Sequence, residues 1–238
     1  MMRTVVFDIS GPYGHFRKPY APVSPVTYPF PPPPTVLGMV GAIIGYGKDE
    51  YLERIGWNQV RVGIRLLVPT RKYRTGINLI LTHEGNKYFR LKPDGPGKAA
   101  RGQYPYEFLK DPAFRIWITG ASPESMEALE NQLRSGTTVF TPSLGLAQCL
   151  AEITFVGCYD AWALPFSTYQ VYSIVPDDLD TCHFEPGNRY VRYRVPAKMK
   201  PDRTVVDYRE VLVAEEGQGV VMETDKAYKV GDETILFF

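Results

Sequence analysis

The sequence is poor in cysteine and histidine and has no long apolar run. Its 238 residues include three cysteines, at positions 149, 158 and 182, with no CxxC spacing. A scattered, odd set argues against a disulfide framework or a thiolate zinc site and points to a reducing, cytoplasmic setting. Cys149 and Cys158 sit in apolar surroundings and read as small buried hydrophobes. The longest apolar stretch, 36–46, is too short to span a bilayer and contains Gly38, Gly41 and Gly45, so a packed helix is expected and no membrane partner. No leader is expected either, because residues 4–9 already read as a strand carrying Asp8. No internal repeat is evident. With only His15, His83 and His183, the chain has few groups suited to acid–base catalysis near neutral pH.

What the sequence does contain is 44% hydrophobic residues, enough to bury a core, and an uneven charge distribution. The net charge is +1, yet residues 58–115 hold 12 Lys+Arg against 4 Asp+Glu, whereas residues 116–238 hold 10 against 18. A basic middle and an acidic second half suit one face for a polyanion and another for protein.

Periodicity predicts strands at 4–9, 59–68, 114–119 and 150–156. Val60, Val62, Ile64 and Leu66 alternate with Arg61, Gly63, Arg65 and Leu67, so one face of the second strand is buried. A helix is expected over 35–46, with Thr35 as its N-cap after the proline arm Tyr28-Pro29-Phe30-Pro31-Pro32-Pro33-Pro34. A second helix is punctuated by Ser122 as N-cap, Pro123 at its first position and Gly136 beyond its end. Residues 78–82 and 87–91, around His83-Glu84-Gly85-Asn86, read as a hairpin. The expected fold is α+β: a ferredoxin-like (RRM-like) split βαβ domain over 1–158 with a hairpin inserted at about 70–112, and a small β-rich part over 159–238. In the C-terminal part, 169–175, 189–195, 204–213, 219–223 and 234–238 alternate as strands do.

Several segments could carry chemistry. Arg17 and Lys18 follow the turn after the first strand, and can serve as a phosphate site or as a solvated turn. Arg71-Lys72-Tyr73-Arg74 is the densest basic cluster; cations could track a backbone while Tyr73 stacks a base, or the segment could be a charged hairpin stem. Lys98, Arg101 and Tyr104 lie in a Gly- and Pro-rich loop, with the same two readings open. Gly145 can bring backbone N–H groups close to a ligand or simply make a turn. Residues 93–100 lack the GxxxxGK[ST] spacing of a phosphate loop. Gly38, Gly41, Gly45 and Gly47 lack the acidic partner of a dinucleotide fingerprint and are read as helix–sheet packing. Neither a cofactor nor a metal is expected.

The opening Phe7-Asp8-Ile9-Ser10-Gly11, the tail His15-Phe16-Arg17-Lys18-Pro19, the proline arm and Leu37-Gly38-Met39-Val40-Gly41-Ala42-Ile43-Ile44-Gly45 resemble the N-terminal signature of the fifth CRISPR-associated (Cas) protein family. That family belongs to the repeat-associated mysterious protein (RAMP) superfamily. Thr141-Pro142-Ser143-Leu144-Gly145-Leu146-Ala147-Gln148-Cys149-Leu150 resembles its glycine loop. The resemblance implies a subunit of a type I Cascade effector complex that holds the repeat-derived 5′ handle of CRISPR RNA. It also implies an inserted hairpin acting as a thumb beside the backbone subunit, and a further face toward the large subunit. Arg17 and the proline arm look most like the type I-A/I-B branch. In type I-C members a tyrosine with an adjacent lysine–histidine pair cleaves precursor RNA. Tyr46 stands in a comparable place here and joins the expected RNA contacts, but the sequence has no Lys-His dipeptide, so no catalytic residue is expected. The alternative is a metal-independent endoribonuclease using His15 or Tyr46.

Overall fold

A computed structural model describes residues 2–20, 24–80, 101–176 and 181–238. The first strand, β1 (Met2–Ser10), runs into two short strands, β2 (Tyr13–Gly14) and β3 (Phe16–Arg17). The latter pairs with β4 (Thr27–Tyr28), which leads through the prolines into α1 (Pro33–Ile44) and α2 (Tyr51–Ile55). Strand β5 (Arg61–Leu66) is followed by β6 (Lys72–Ile80) and β7 (Arg101–Lys110), then β8 (Ala113–Thr119), α3 (Pro123–Ser135) and β9 (Glu152–Ala163). The remainder is β10 (Ser167–Val171), β11 (Val175–Pro176), β12 (Cys182–His183), β13 (Tyr190–Met199), β14 (Val205–Ala214), β15 (Val220–Thr224), β16 (Tyr228–Val230) and β17 (Glu233–Ile235).

The main sheet has the order β17-β16-β9-β1-β8-β5, and every pairing in it is antiparallel. Alternation along the strands decides its two faces. Val5, Phe7 and Ile9 lie on one side in register with Ile118, Ile116 and Phe114, and these in turn with Val62, Ile64 and Leu66. All nine are buried in the core shared with Val36, Val40 and Ile43 of α1 and Met126, Leu129 and Leu133 of α3. Each such side chain contributes on the order of 2 kcal/mol when removed from water. The opposite face carries Val6 and Trp117, covered by Val230 and Ile235 of the β16–β17 hairpin. An ion-pair ladder fastens that hairpin: Arg115 donates two hydrogen bonds to Asp8 at 2.8 and 2.9 Å, and Glu233 accepts from both Arg115 and Arg65 at 2.5 Å. The β5 edge is closed by the Phe238 and Ile174 N–H groups, which donate to the Val62 and Ile64 carbonyls. A sheet edge left open would offer those groups to other chains.

Local punctuation explains the helices. Ser122 caps α3 through its side chain, Pro123 follows, and Gly136 ends the helix at φ 66°. α1 begins two residues earlier than its expected start. Its N-cap is Pro32 rather than Thr35, and Pro33 and Pro34 occupy the first turn, where their missing N–H groups leave no donor unpaired. The short α2 has no counterpart in the sequence reading, because five residues are too few to display a helical period. The fourth core strand runs to Ala163 rather than ending at 156, since it must also pair with β16. The strand bulges at Val156, opposite Val6 and Phe7.

The C-terminal segment builds two three-stranded sheets, β10-β15-β12 and β11-β14-β13, around Val171, Val175, Leu212, Val220 and Met222. The expected hairpin tip at 83–86 lies outside the described residues. Residues 78–80 pair with 101–103 of β7 instead of the expected 87–91, which also lie outside the described residues; β6 and β7 pair from Lys72 opposite Leu109 to Ile80 opposite Arg101. No described helix is long and apolar enough to cross a membrane.

Candidate nucleic-acid interface

On the helical side of the sheet an open groove of about 680 Å³ runs between α1, α2, the 140–145 loop and the β13–β14 connection. The glycines of α1 shape it. Gly41 faces α2, and a Cβ there would stand 2.8 Å from Cβ of Tyr51. Gly38, one turn earlier, has only the Tyr51 hydroxyl within 4 Å, so helix backbone is bare to the groove. These glycines therefore serve helix–helix contact and an open floor rather than the expected helix–sheet packing. The 3.6-residue period places them away from the Val36, Val40 and Ile43 face.

The opposite wall is the glycine loop. Gly145 has φ +94°, and a Cβ on it would lie 2.0 Å from the His15 carbonyl oxygen. The His15 N–H donates to the Leu144 carbonyl at 2.8 Å, so loop and first-strand turn are zipped together. Gly145 is thus required by close backbone approach, and it also lines the groove.

Phe140, 51% exposed, offers a ring on the rim, and its N–H donates to the Ala42 carbonyl. Lys48 and Arg203 supply the charge, and no acidic residue lines the groove among the described residues. Arg203 is held at φ 67° in the β13–β14 turn, where its guanidinium donates to the Lys48 carbonyl at 3.4 Å. Burial pushes the Tyr51 phenol up, with the Arg203 charge acting against it, so the hydroxyl remains a donor at neutral pH. Hydroxyls of Thr35, Thr141 and Ser143 complete the lining. Cations, donors, bare backbone and an exposed ring form the combination that single-stranded nucleic acid requires.

The residues singled out from sequence are dispersed around this groove. Tyr46 and Gly145 line it. Tyr46 is only 8% exposed, with Arg54 stacked 3.7 Å over its ring and its hydroxyl within 3.5 Å of Glu124 and Ser125. Arg17 is exposed on β3. Lys18 turns inward: its ammonium sits 4.8, 5.3 and 5.9 Å from the ring centres of Tyr193, Tyr28 and Tyr20, a cation–π cage joining the N-terminal turn to β13.

On the β6–β7 stem Arg71 is exposed, but Lys72 and Arg74 both engage Glu107, at 3.5 and 2.9 Å. Burial works to raise the Glu107 carboxyl; the Arg74 hydrogen bonds and the Lys72 charge outweigh it and hold the group below the ordinary carboxylate range. Tyr73 faces Tyr13, with ring centres 6.2 Å apart. Arg101 opens β7 opposite Ile80, and Lys98 lies outside the described residues.

His15 is only 1% exposed and packs against the stacked rings of Tyr106 and Phe108, with Nδ1 2.7 Å from the Glu107 carbonyl oxygen. Desolvation lowers its basicity, so the ring is neutral and Nδ1 carries the donated proton.

Phe140, Lys48 and Arg203 were missed in the sequence because they come from three separate elements. The prolines and glycines of 29–45 marked only the groove's floor.

Sheet, helices and groove define an α+β protein with a cationic cleft on its helical side. The family model described as CRISPR-associated protein (Cas_Cas5) matches residues 4–211, and the chain belongs to that family. A CRISPR protein from Archaeoglobus fulgidus shares 17% identity and superposes with a TM-score of 0.58 over 99% of this chain and 98% of that one. A chain of a CRISPR RNA-guided surveillance complex shares 15% identity, with a TM-score of 0.52 over 93% and 91% of the two chains. At such identities the likeness shows the fold. No curated protein matches the chain.

Proposed function

We propose that this protein is a non-catalytic, cytoplasmic subunit of a type I CRISPR Cascade effector complex, where it binds the 5′ handle of CRISPR RNA and nucleates assembly. The observation that carries the reading is the groove, with no acid among its described lining residues, in which Phe140, Lys48 and Arg203 face the bare backbone at Gly38 and the Gly145 loop. A handle is single-stranded, and its phosphates and splayed bases need those cations and that ring. Family membership and the fold shared with a chain of a CRISPR RNA-guided surveillance complex support placement in such an assembly.

The order β9-β1-β8-β5, with α1 and α3 on one face, supports a ferredoxin-like core over 1–158, and the β6–β7 stem supports a thumb beside the backbone subunit. The second core around Val171 and Met222 supports a β-rich C-terminal part, whose β16–β17 hairpin completes the main sheet and whose acidic balance suits the large subunit. The non-catalytic reading rests on His15, which is buried, neutral and engaged by a backbone carbonyl.

The test uses purified protein in EDTA with a labelled repeat RNA carrying its handle, read for binding and cleavage together. Tight, salt-sensitive binding, weakened at least tenfold in Phe140→Ala/Arg203→Ala, is expected without a discrete cut. A single cut at the base of the repeat hairpin, lost in Tyr46→Phe, would overturn the non-catalytic reading. Wild-type binding by the double variant would overturn the groove.

A further inference from the structure

A second open groove, of about 660 Å³, lies where the approach to β5 meets β13, β14 and the β15–β16 turn. Four cations line it: Arg61, Lys198, Arg209 and Lys226. Three of these come from residues 116–238, where 18 acidic residues outnumber 10 basic ones, so the fold gathers positive charge against the local composition. Asp225 is the one acidic residue in the described lining, and Arg209 also contacts Asp207 at 3.1 Å.

Aromatic surface stands beside the charge. The rings of Tyr228 and Phe237 pack edge to face at 5.3 Å, and Arg61 donates to the Tyr228 hydroxyl at 3.0 Å, fixing cation and ring on one wall. Lys198 and Met199 are successive residues of β13 yet line different grooves, Lys198 this one and Met199 the first. β13 bulges at this point, and the two grooves share no lining residue.

We infer that this groove is a second nucleic-acid site, taking a single-stranded phosphodiester chain. The four cations come from four different segments, β5, β13, β14 and the β15–β16 turn, and line one open groove, which suits successive phosphates better than a lone anion. The neighbouring rings add faces on which unpaired bases stack, which an acidic peptide would leave unused. The site stands independently of handle binding in the first groove.

The test titrates fluorescein-labelled 15-nucleotide oligo-dT and oligo-U by anisotropy at several salt concentrations. The background is the full chain carrying Phe140→Ala/Arg203→Ala, which removes the first groove's contribution. Adding Lys198→Glu/Lys226→Glu is expected to weaken at least one oligomer tenfold or more. It should also lower the slope of log affinity against log salt by about 0.7 for each phosphate that is no longer neutralised. The oligomer bound more tightly identifies the strand as DNA or RNA. In the otherwise wild-type chain the same pair should leave repeat-RNA binding within twofold, so failure here and failure of the handle reading are separable. Circular dichroism checks folding, and Lys198→Ala/Lys226→Ala is the milder pair should the charge reversals unfold. Binding of neither oligomer, unchanged binding in both pairs, or displacement by poly-glutamate as effective as by unlabelled oligo-dT would each overturn the inference.

Discussion

The β6–β7 stem and the groove beside α1 each hold cations next to an aromatic ring, but they use them differently. On the stem, Lys72 and Arg74 are neighbours in sequence and converge on one buried carboxylate, Glu107. In the groove, Lys48 and Arg203 are 155 residues apart and are brought together with no acid in the described lining. A dense basic run is therefore a poor guide to the charge available to a ligand. Neutralisation depends on which cross-strand partner the register supplies, and register is a property of the fold.

The largest effect is expected at the loop that joins the two regions through the 11–16 turn. Gly145→Val would force a side chain into the His15 carbonyl and an unfavourable positive φ; a drop of about 3 kcal/mol is expected in chemical denaturation, together with loss of RNA binding. Wild-type stability in that variant would mean that the turn and loop are not locked.

Next, Glu107→Gln breaks the stem's internal pairing, with an expected cost of about 2 kcal/mol near neutral pH, while non-specific RNA affinity rises as the two cations are released. Because the folded carboxyl lies below its ordinary value of 4.5, its contribution is complete above that value and is lost as pH falls through the lower, folded one. The variant's stability curve should therefore be flatter than wild type below about pH 5. An unchanged acid limb and unchanged RNA affinity would show that the pairing is idle.

Phe140→Ala alone sharpens the comparison from the groove side. Affinity for handle RNA should fall about tenfold, the equivalent of one base left unstacked, with the melting temperature within a degree or two of wild type because the ring is half-exposed. The smallest effect is expected at Lys18. Lys18→Met removes a charge from the three-tyrosine cage, at a cost of about 1 kcal/mol, with RNA affinity unchanged and Lys18→Arg restoring part of the stability. A drop in RNA affinity without loss of stability would place Lys18 on the RNA after all.

Much of the N-terminal two thirds was legible in the sequence. Ser122, Pro123 and Gly136 delimit α3 because caps act within a single turn. The alternation of Val62, Ile64 and Leu66 gives β5 its buried face because the side-chain period of a strand is two. Tyr46, singled out by the family resemblance, and Gly145, by the glycine loop, both line the groove. The direction of Lys18 was not legible, since its cage is built by Tyr193 of a strand far along the chain. Nor was the curl that lays β16–β17 over Trp117, which depends on Glu233 meeting Arg65 and Arg115.

By itself, then, the sequence determined where elements begin and end, which strand faces are apolar, and where only glycine is tolerated. These depend on dihedral preference and on periods of two or 3.6 residues. The tertiary structure alone decided which charges are cancelled and which are offered to a ligand. Coulomb interactions and desolvation act through space, and separations of a few ångströms between residues 48 and 203, or 74 and 107, exist only once the sheet and its insertion have folded.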